Sequence, residues 1–325
     1  MPRILVTGAA GFIGQKVCEF LLNDGFEVVG VDNLCDTYDI RLKEWRLQQL
    51  IDKPKFSFHR KDICDLEELM NIFRGEGHVD GVIHLAARAG VRYSLENPWI
   101  YYQTNVNGTL NLLECCRQLH VPKFILASTS SIYGAKAPLP TPEDADSSHP
   151  LQPYSASKKA GEVLSHSYHY MYGLDVTVFR YFTVYGPAAR PDMAMFRFTQ
   201  WIAEGHALRL NGDGTQSRGF TYVDDIARGT ILGLQPCGYE IFNLGGHEEL
   251  CMLDLIQMLE SMLHKKAKIV HLPFNRADMR TNLADISKAR RDLGWEPRIT
   301  MQEGLRRLVD WYIKERSWTS LVKTE

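Results

Sequence analysis

Short apolar runs alternate with helical stripes from the first residues of the chain. Ile4, Leu5 and Val6 are apolar without a break, which predicts a strand buried on both faces of a parallel sheet. Val17, Phe20 and Leu21 follow at helical spacing. The alternation then repeats. Residues 27–31, 56–58, 80–87, 123–127 and 175–180 read as five further strands. Helices are predicted over 66–73, from Pro98 through Cys116 with Val106, Leu110 and Leu113 as the buried stripe, and over 154–172. Between Asn33 and Pro54 lies a polar insertion, in which Leu42, Trp45 and Leu50 suggest a short helix.

Beyond residue 186 the regular alternation stops. A turn at Asn211-Gly212-Asp213-Gly214, a helix over 226–234 capped by Asp224 or Asp225, and a helix over 253–263 follow. Thr300 and Glu303 suggest a capping box for a last helix whose apolar face is Leu305, Leu308, Val309 and Tyr312. The fold class expected is α/β: a Rossmann-type doubly wound parallel sheet with a smaller mixed α/β C-terminal substrate-binding domain. Residues 1–186, with some later segments returning, make the dinucleotide-binding part, and 187–325 mainly the substrate part.

The glycines decide what the first strand is for. Gly8, Gly11 and Gly14 stand between that strand and its helix, where a tight turn and a free helix start, through Phe12 and Ile13, cradle a pyrophosphate. Asp32 closes the second strand, about twenty residues on, where an acid accepts from ribose hydroxyls and repels a 2′-phosphate. The cofactor expected is therefore NAD, with Asn33 beside it. Asp62, before Ile63, either accepts from the adenine amino group or caps the next helix. Leu85, Ala86 and Ala87 end the fourth strand, where the nicotinamide ribose should pass. Ser128, Thr129, Ser130 and Ser131 end the fifth strand, at the ligand edge of such a sheet. Tyr154 and Lys158 lie four apart on one helical face. A phenol is a poor base at neutral pH, and a neighbouring ammonium favours its phenolate. Asn105 and Asn107 suggest backbone bonding or a kink, and no chemistry.

The 325 residues carry 37 Lys and Arg against 39 Asp and Glu, a net charge of −2 that leaves no basic stripe for nucleic acid. Seven cysteines without C-x-x-C pairing suggest a reducing compartment and no metal site. No membrane-spanning apolar run and no leader ahead of the first strand are visible, so the location expected is cytoplasmic.

Together, Thr7 to Gly14, Asp32-Asn33, Lys61-Asp62-Ile63, His84-Leu85-Ala86-Ala87, Tyr154-x-x-x-Lys158, Tyr185-Gly186-Pro187 and Phe220-Thr221-Tyr222-Val223-Asp224-Asp225 resemble the extended short-chain dehydrogenase/reductase family, over nearly the whole chain. Ala89-Gly90-Val91-Arg92-Tyr93-Ser94, Phe182 to Pro187, Arg190-Pro191-Asp192-Met193-Ala194 and the insertion from Asp36 to Lys43 are similar to its UDP-glucuronate 4-epimerase subgroup. The resemblance implies a bound, recycled NAD, a UDP-sugar substrate, and a homodimer built on helices 98–116 and 154–172. It also implies Tyr154 as base, Lys158 on the nicotinamide ribose, and Thr129 on the sugar oxygen. Family dehydratases carry Asp-Glu after that threonine, and decarboxylases keep the Glu; here Ser130 and Ser131 stand there. They and Thr183 are expected to hold a uronate carboxylate. Arg190 and Arg218 are expected at the diphosphate or uronate end, and Arg88 at either the sugar or the pyrophosphate. Two departures stand out: Gly219 replaces an acid, and Asn275-Arg276-Ala277-Asp278 replaces a Pro-Gly-Asp approach to the diphosphate. The competing readings are 4-epimerisation of UDP-glucose or UDP-N-acetylglucosamine, decarboxylation of UDP-glucuronate, and a non-catalytic NAD sensor.

Overall fold

A computed structural model describes residues 1–246, 248–274 and 280–324. The chain up to Tyr181 lays down six parallel strands: β1 (Arg3–Thr7), β2 (Glu27–Val31), β3 (Phe56–His59), β4 (Gly81–His84), β5 (Lys123–Thr129) and β6 (Asp175–Tyr181). After β7 (Thr183–Tyr185), β8 (Ala207–Asn211) and β9 (Ser217–Tyr222), strand β10 (Tyr239–Leu244) returns to the edge beside β6. The order across the sheet is β3-β2-β1-β4-β5-β6-β10. The chain reverses direction of travel between β1 and β4, and ligands of such sheets bind outside the strand ends at that switch.

Burial explains the apolar runs. Leu5 and Val6 are fully covered, and separate apolar clusters sit on the two faces of the sheet. A third core, around Tyr185, Phe196, Leu255, Leu305 and Tyr312, lies in the later part of the chain. There β9 pairs with β7, with β11 (Glu249–Cys251) and, after β12 (Lys268–Leu272) has joined β8, with β13 (Thr281–Asn282).

Several local expectations change. The insertion forms the helix Ile40–Gln48, of which Leu42 joins the third core and Trp45 meets Trp311 edge to face at 5.6 Å. The helix from Pro98 is interrupted by a π turn, Gln103–Asn107, before resuming as Gly108–Gln118. The wider turn rotates the following residues, so Leu110 is exposed while Leu112, Leu113, Cys115 and Cys116 are buried. Neither Asp224 nor Asp225 caps the next helix, which is Val223–Leu232 and starts at Tyr222 without a side-chain cap. Asp225 instead accepts from the backbone N–H groups of Arg298 and Ile299 at 3.0 and 2.9 Å. Thr300 does cap the helix Met301–Lys314 through the Glu303 N–H, but the Glu303 carboxylate pairs with Arg307.

Candidate active site

The glycine turn packs without room for side chains. A Cβ on Gly14 would stand 2.0 Å from the Gly8 carbonyl oxygen, and one on Gly8 2.7 Å from the Ala86 nitrogen. Gly8 also has φ of +71°, which glycine adopts without strain. The turn is thereby pressed against the segment that follows β4, where the Thr7 hydroxyl accepts from the Ala86 N–H at 3.2 Å. The twelve-residue helix Phe12–Asn23 begins at Gly11 with no side-chain cap and no acid in its first turn. Its first N–H groups and dipole therefore suit a diphosphate.

Asp32 is buried at the end of β2. It accepts from the Ala10 N–H at 3.2 Å, from the Leu34 N–H at 2.8 Å and from the Lys43 ammonium at 3.2 Å. Asn33 donates its amide to Asp62 at 2.7 Å, and Asp62 also accepts from the Cys64 N–H at 2.9 Å. Burial works against the Asp62 carboxylate, yet these bonds hold it below the ordinary carboxylate range. Asp62 is not a helix cap; Asp65 does that through the Glu68 N–H. Ile63 is buried against Gly108. Arg88 bonds to Thr37, and its charge reaches Asp62, which sets its guanidinium on the Asn33–Asp62 side of the site. Its backbone is clamped by Asn105, which accepts from the Arg88 N–H at 2.8 Å and donates to the Arg88 carbonyl at 3.0 Å and to Ser157 at 2.9 Å.

The end of β5 meets the start of the helix Pro153–Tyr172. Tyr154 lies beside Thr129, whose hydroxyl donates to Ser131 Oγ at 3.3 Å, and the Tyr154 ring meets Tyr101 edge to face at 6.2 Å. Burial pushes the Tyr154 phenol above its usual value, while the neighbouring Thr129 hydroxyl and the Arg190 charge pull it back in part. The expected role of Lys158 as the group that lowers this phenol is thus taken, in the protein alone, by Thr129 and Arg190. Lys158 is itself buried, which brings its ammonium down to about 8, against the opposing charge of Glu162.

Ser130 and Ser131 form the first turn after β5. Asn282 donates to the Ser130 hydroxyl oxygen at 3.0 Å, which leaves that hydroxyl's own proton for another acceptor. The Ser131 N–H donates to Thr129 at 3.2 Å. Thr183 begins β7 and pairs with Phe220. Arg190 forms a two-pronged pair with Asp192 at 3.1 and 2.5 Å and comes within reach of Gly90. Arg218, on β9, donates to the carbonyls of Ser217 and Arg280 at 2.6 and 3.1 Å. Asp278 and Arg276 lie outside the described residues.

Sequence reasoning did not single out Lys43, Arg46, Asn282 or Glu162, and it gave Asn105 no role at the site. Lys43 and Arg46 carried a readable signal, two cations three apart on one side of a short helix. Asn282 is 152 residues from Ser130 and carried none. Among the described residues no cluster of His, Cys, Asp and Glu could hold a metal ion, and no helix is long and apolar enough to cross a membrane.

Residues 5–308 match the family model described as GDP-mannose 4,6 dehydratase. A UDP-glucuronate 4-epimerase of Thermodesulfobacterium geofontis is 54% identical over 312 residues, 96% of each chain. The crystal structure of UDP-glucuronic acid 4-epimerase from Bacillus cereus, in complex with UDP-glucuronic acid and NAD, superposes with a TM-score of 0.89 at 40% identity. It covers 96% of this chain and 99% of that one. UDP-glucose 4-epimerase from Thermotoga maritima, with UDP-glucose, gives a TM-score of 0.89 at 34% identity, over 97% and 99% of the two chains.

Proposed function

This chain belongs to the extended short-chain dehydrogenase/reductase family, and from that premise we propose that it interconverts UDP-glucuronate and UDP-galacturonate by NAD-dependent 4-epimerisation. The observation that carries the reading is the packing of the Pro153–Tyr172 helix on the end of β5, which brings Tyr154 beside Thr129 with Ser130 and Ser131 following, where no carboxylate stands ready for elimination. The Bacillus cereus relative, with UDP-glucuronic acid and NAD in its crystal structure, supports the same choice of substrate and cofactor.

NAD, when bound, would supply the redox chemistry, as acceptor and then donor of the hydride at the sugar C4, while the O4 proton goes to Tyr154. The residues placed to hold it are Gly8, Gly11, Phe12, Ile13 and Gly14 at the diphosphate, Asp32, Asn33, Asp62 and Ile63 at the adenosine, and Leu85, Ala86 and Ala87 with Tyr154 and Lys158 at the nicotinamide end. The uncapped helix start and the side-chain-free glycine turn fit the group.

Tyr154, as phenolate, takes the proton of the C4 hydroxyl, and Thr129 steadies the oxygen between them. Thr129 and Arg190 favour the phenolate, and Lys158, charged at neutral pH, is assigned to the nicotinamide ribose. A uronate oxidised at C4 is a β-keto acid, which loses carbon dioxide when its carboxylate aligns with the carbonyl π system. Hydroxyls of Ser130, Ser131 and Thr183 are suited to hold that carboxylate out of alignment, the first with its proton freed by Asn282. Arg190 and Arg218 take the anionic ends of the substrate, for which guanidinium forks are matched, and Arg88 stands on the cofactor side.

A homodimer belongs to the same reading. Trp99 is 82% exposed and Tyr170 79% exposed on helices that pack against each other, and Leu110 is exposed on the helix that follows the π turn. All seven cysteines are free thiols, in keeping with a cytoplasmic location.

The purified protein, given UDP-glucuronate without added NAD and followed by NMR, should form UDP-galacturonate. UDP-xylose or a keto-pentose would instead mark a decarboxylase. If only UDP-glucose turns over, even with NAD supplied, the uronate assignment is wrong.

A further inference from the structure

Arg46 is 1% exposed, and it heads the fully buried side chains by size. Its partners are carbonyl and phenol oxygens. Nε and Nη2 donate to the Ala188 carbonyl at 2.9 and 2.7 Å. Nη1 donates to the Ala10 carbonyl at 3.2 Å and to the Tyr38 hydroxyl at 2.7 Å, and the guanidinium lies over the Tyr38 ring at 5.4 Å. A buried charge is kept only where its donors are satisfied, and a planar fork can reach two separate loops where an ammonium reaches one.

Both loops face the site. Ala10 sits between Gly8 and Gly11, and its N–H donates to Asp32. Ala188 holds φ at +52°, a left-handed conformation unfavourable for a residue with a side chain, two positions before Arg190. Arg190 in turn stands near Gly90, and its charge acts on Tyr154. The strained turn therefore points a substrate-facing guanidinium inward, and the Arg46 fork is bonded to its carbonyl.

We propose that Arg46 is a positioning residue that fastens the Ala188 turn to the cofactor-holding glycine loop, so that Arg190 is presented to the nucleotide sugar in register with the cofactor. The proposal rests on the reading of Arg190 as a substrate contact. Arg46 acts through another residue, and a double-mutant cycle isolates such action.

The test is the dissociation constant of UDP-glucuronate, by titration calorimetry, for the full chain and for Arg46→Met, Arg190→Ala and the double variant. Arg46→Met should weaken binding about tenfold in the native background and less than about twofold once Arg190 is already alanine. Arg46→Lys, which keeps the charge and loses the fork, should fall between the native protein and Arg46→Met. It also completes the cycle if the methionine variant does not fold. Equal weakening in both backgrounds, or none in either, overturns the proposal while leaving the function intact. Failure of the unaltered protein to bind UDP-glucuronate overturns both.

Discussion

Lys158 is buried with its ammonium brought down to about 8, from an ordinary 10.5, and that displacement has a sign in stability. Below pH 8 the lysine is charged in folded and unfolded chains alike, and the full penalty of burying it is present. Between about 8 and 10.5 the unfolded chain keeps a proton that the folded one has shed, so stability rises with pH across that window. Lys158→Met should therefore stabilise the fold at pH 7 by on the order of 3 kcal/mol. The gain should shrink towards pH 10, as measured by urea unfolding at both pH values; an unchanged or lower stability at pH 7 would count against the buried charge. Activity should move the other way, since strained or costly groups persist at sites that use them. Tyr154→Phe is the companion experiment. It removes one hydroxyl proton carrier, and turnover should fall by about 10²- to 10⁴-fold with UDP-glucuronate binding retained. A variant with near-native turnover would remove Tyr154 from the chemistry. Tyr154, Lys158 and Thr129 were readable because spacing alone puts two of them on one helical face and the third at a strand end. Asn282 was not, because its partner Ser130 stands 152 residues away along the chain.

Helix Pro153–Tyr172 shows how one element serves both the chemistry and the fold. One turn after Lys158, Glu162 is buried. It accepts from Arg180 Nε and Nη2 at 3.0 and 2.9 Å, and from the Ser128 hydroxyl at 2.5 Å, next to Thr129. Arg180 goes on to Tyr133 and to the Glu143 carbonyl. The carboxylate thus ties the catalytic helix to β5 and β6 while opposing the loss of charge on Lys158. Glu162→Gln would leave Arg180 as an uncompensated buried cation, and breaking such a pair costs about 3–5 kcal/mol. Denaturant unfolding should show a loss of that order, and one within about 0.5 kcal/mol would mean that the pair is dispensable. Elements were legible to the extent that a regular period governed them. The strand over 27–31 was read to its ends, whereas the buried stripe from Pro98 slipped at the π turn, which moved Leu110 outward. A periodic pattern assumes one turn length, and the wider turn violates it locally. The Asp224 or Asp225 cap failed for a different reason. Backbone N–H groups more than seventy residues away, at Arg298 and Ile299, compete for Asp225 and win it.

At the scale of the molecule, β10 closes the sheet from a segment that carries no glycine fingerprint, so its place was fixed by tertiary pairing with β6 and not by local pattern. Helices beside that sheet leave apolar side chains uncovered. Trp99, Tyr102 and Leu110 on the Pro98 helix, with Val163 and Tyr170 on the catalytic helix, are exposed together on elements that pack against each other. Large aromatic side chains in that number are unusual on a monomer surface and typical of the centre of an interface. A second copy of the chain would cover them and brace the helix that carries Tyr154 and Lys158. Trp99→Glu with Tyr170→Glu places unpaired charges at that centre, where desolvating them outweighs the contacts that remain. Light scattering should then report a monomer of about half the native mass, with the melting temperature and turnover both lowered because the catalytic helix has lost its support. An undiminished dimer would move the interface elsewhere on the surface. A monomeric native protein would show instead that the catalytic helix is braced wholly from within, by Glu162 and Arg180.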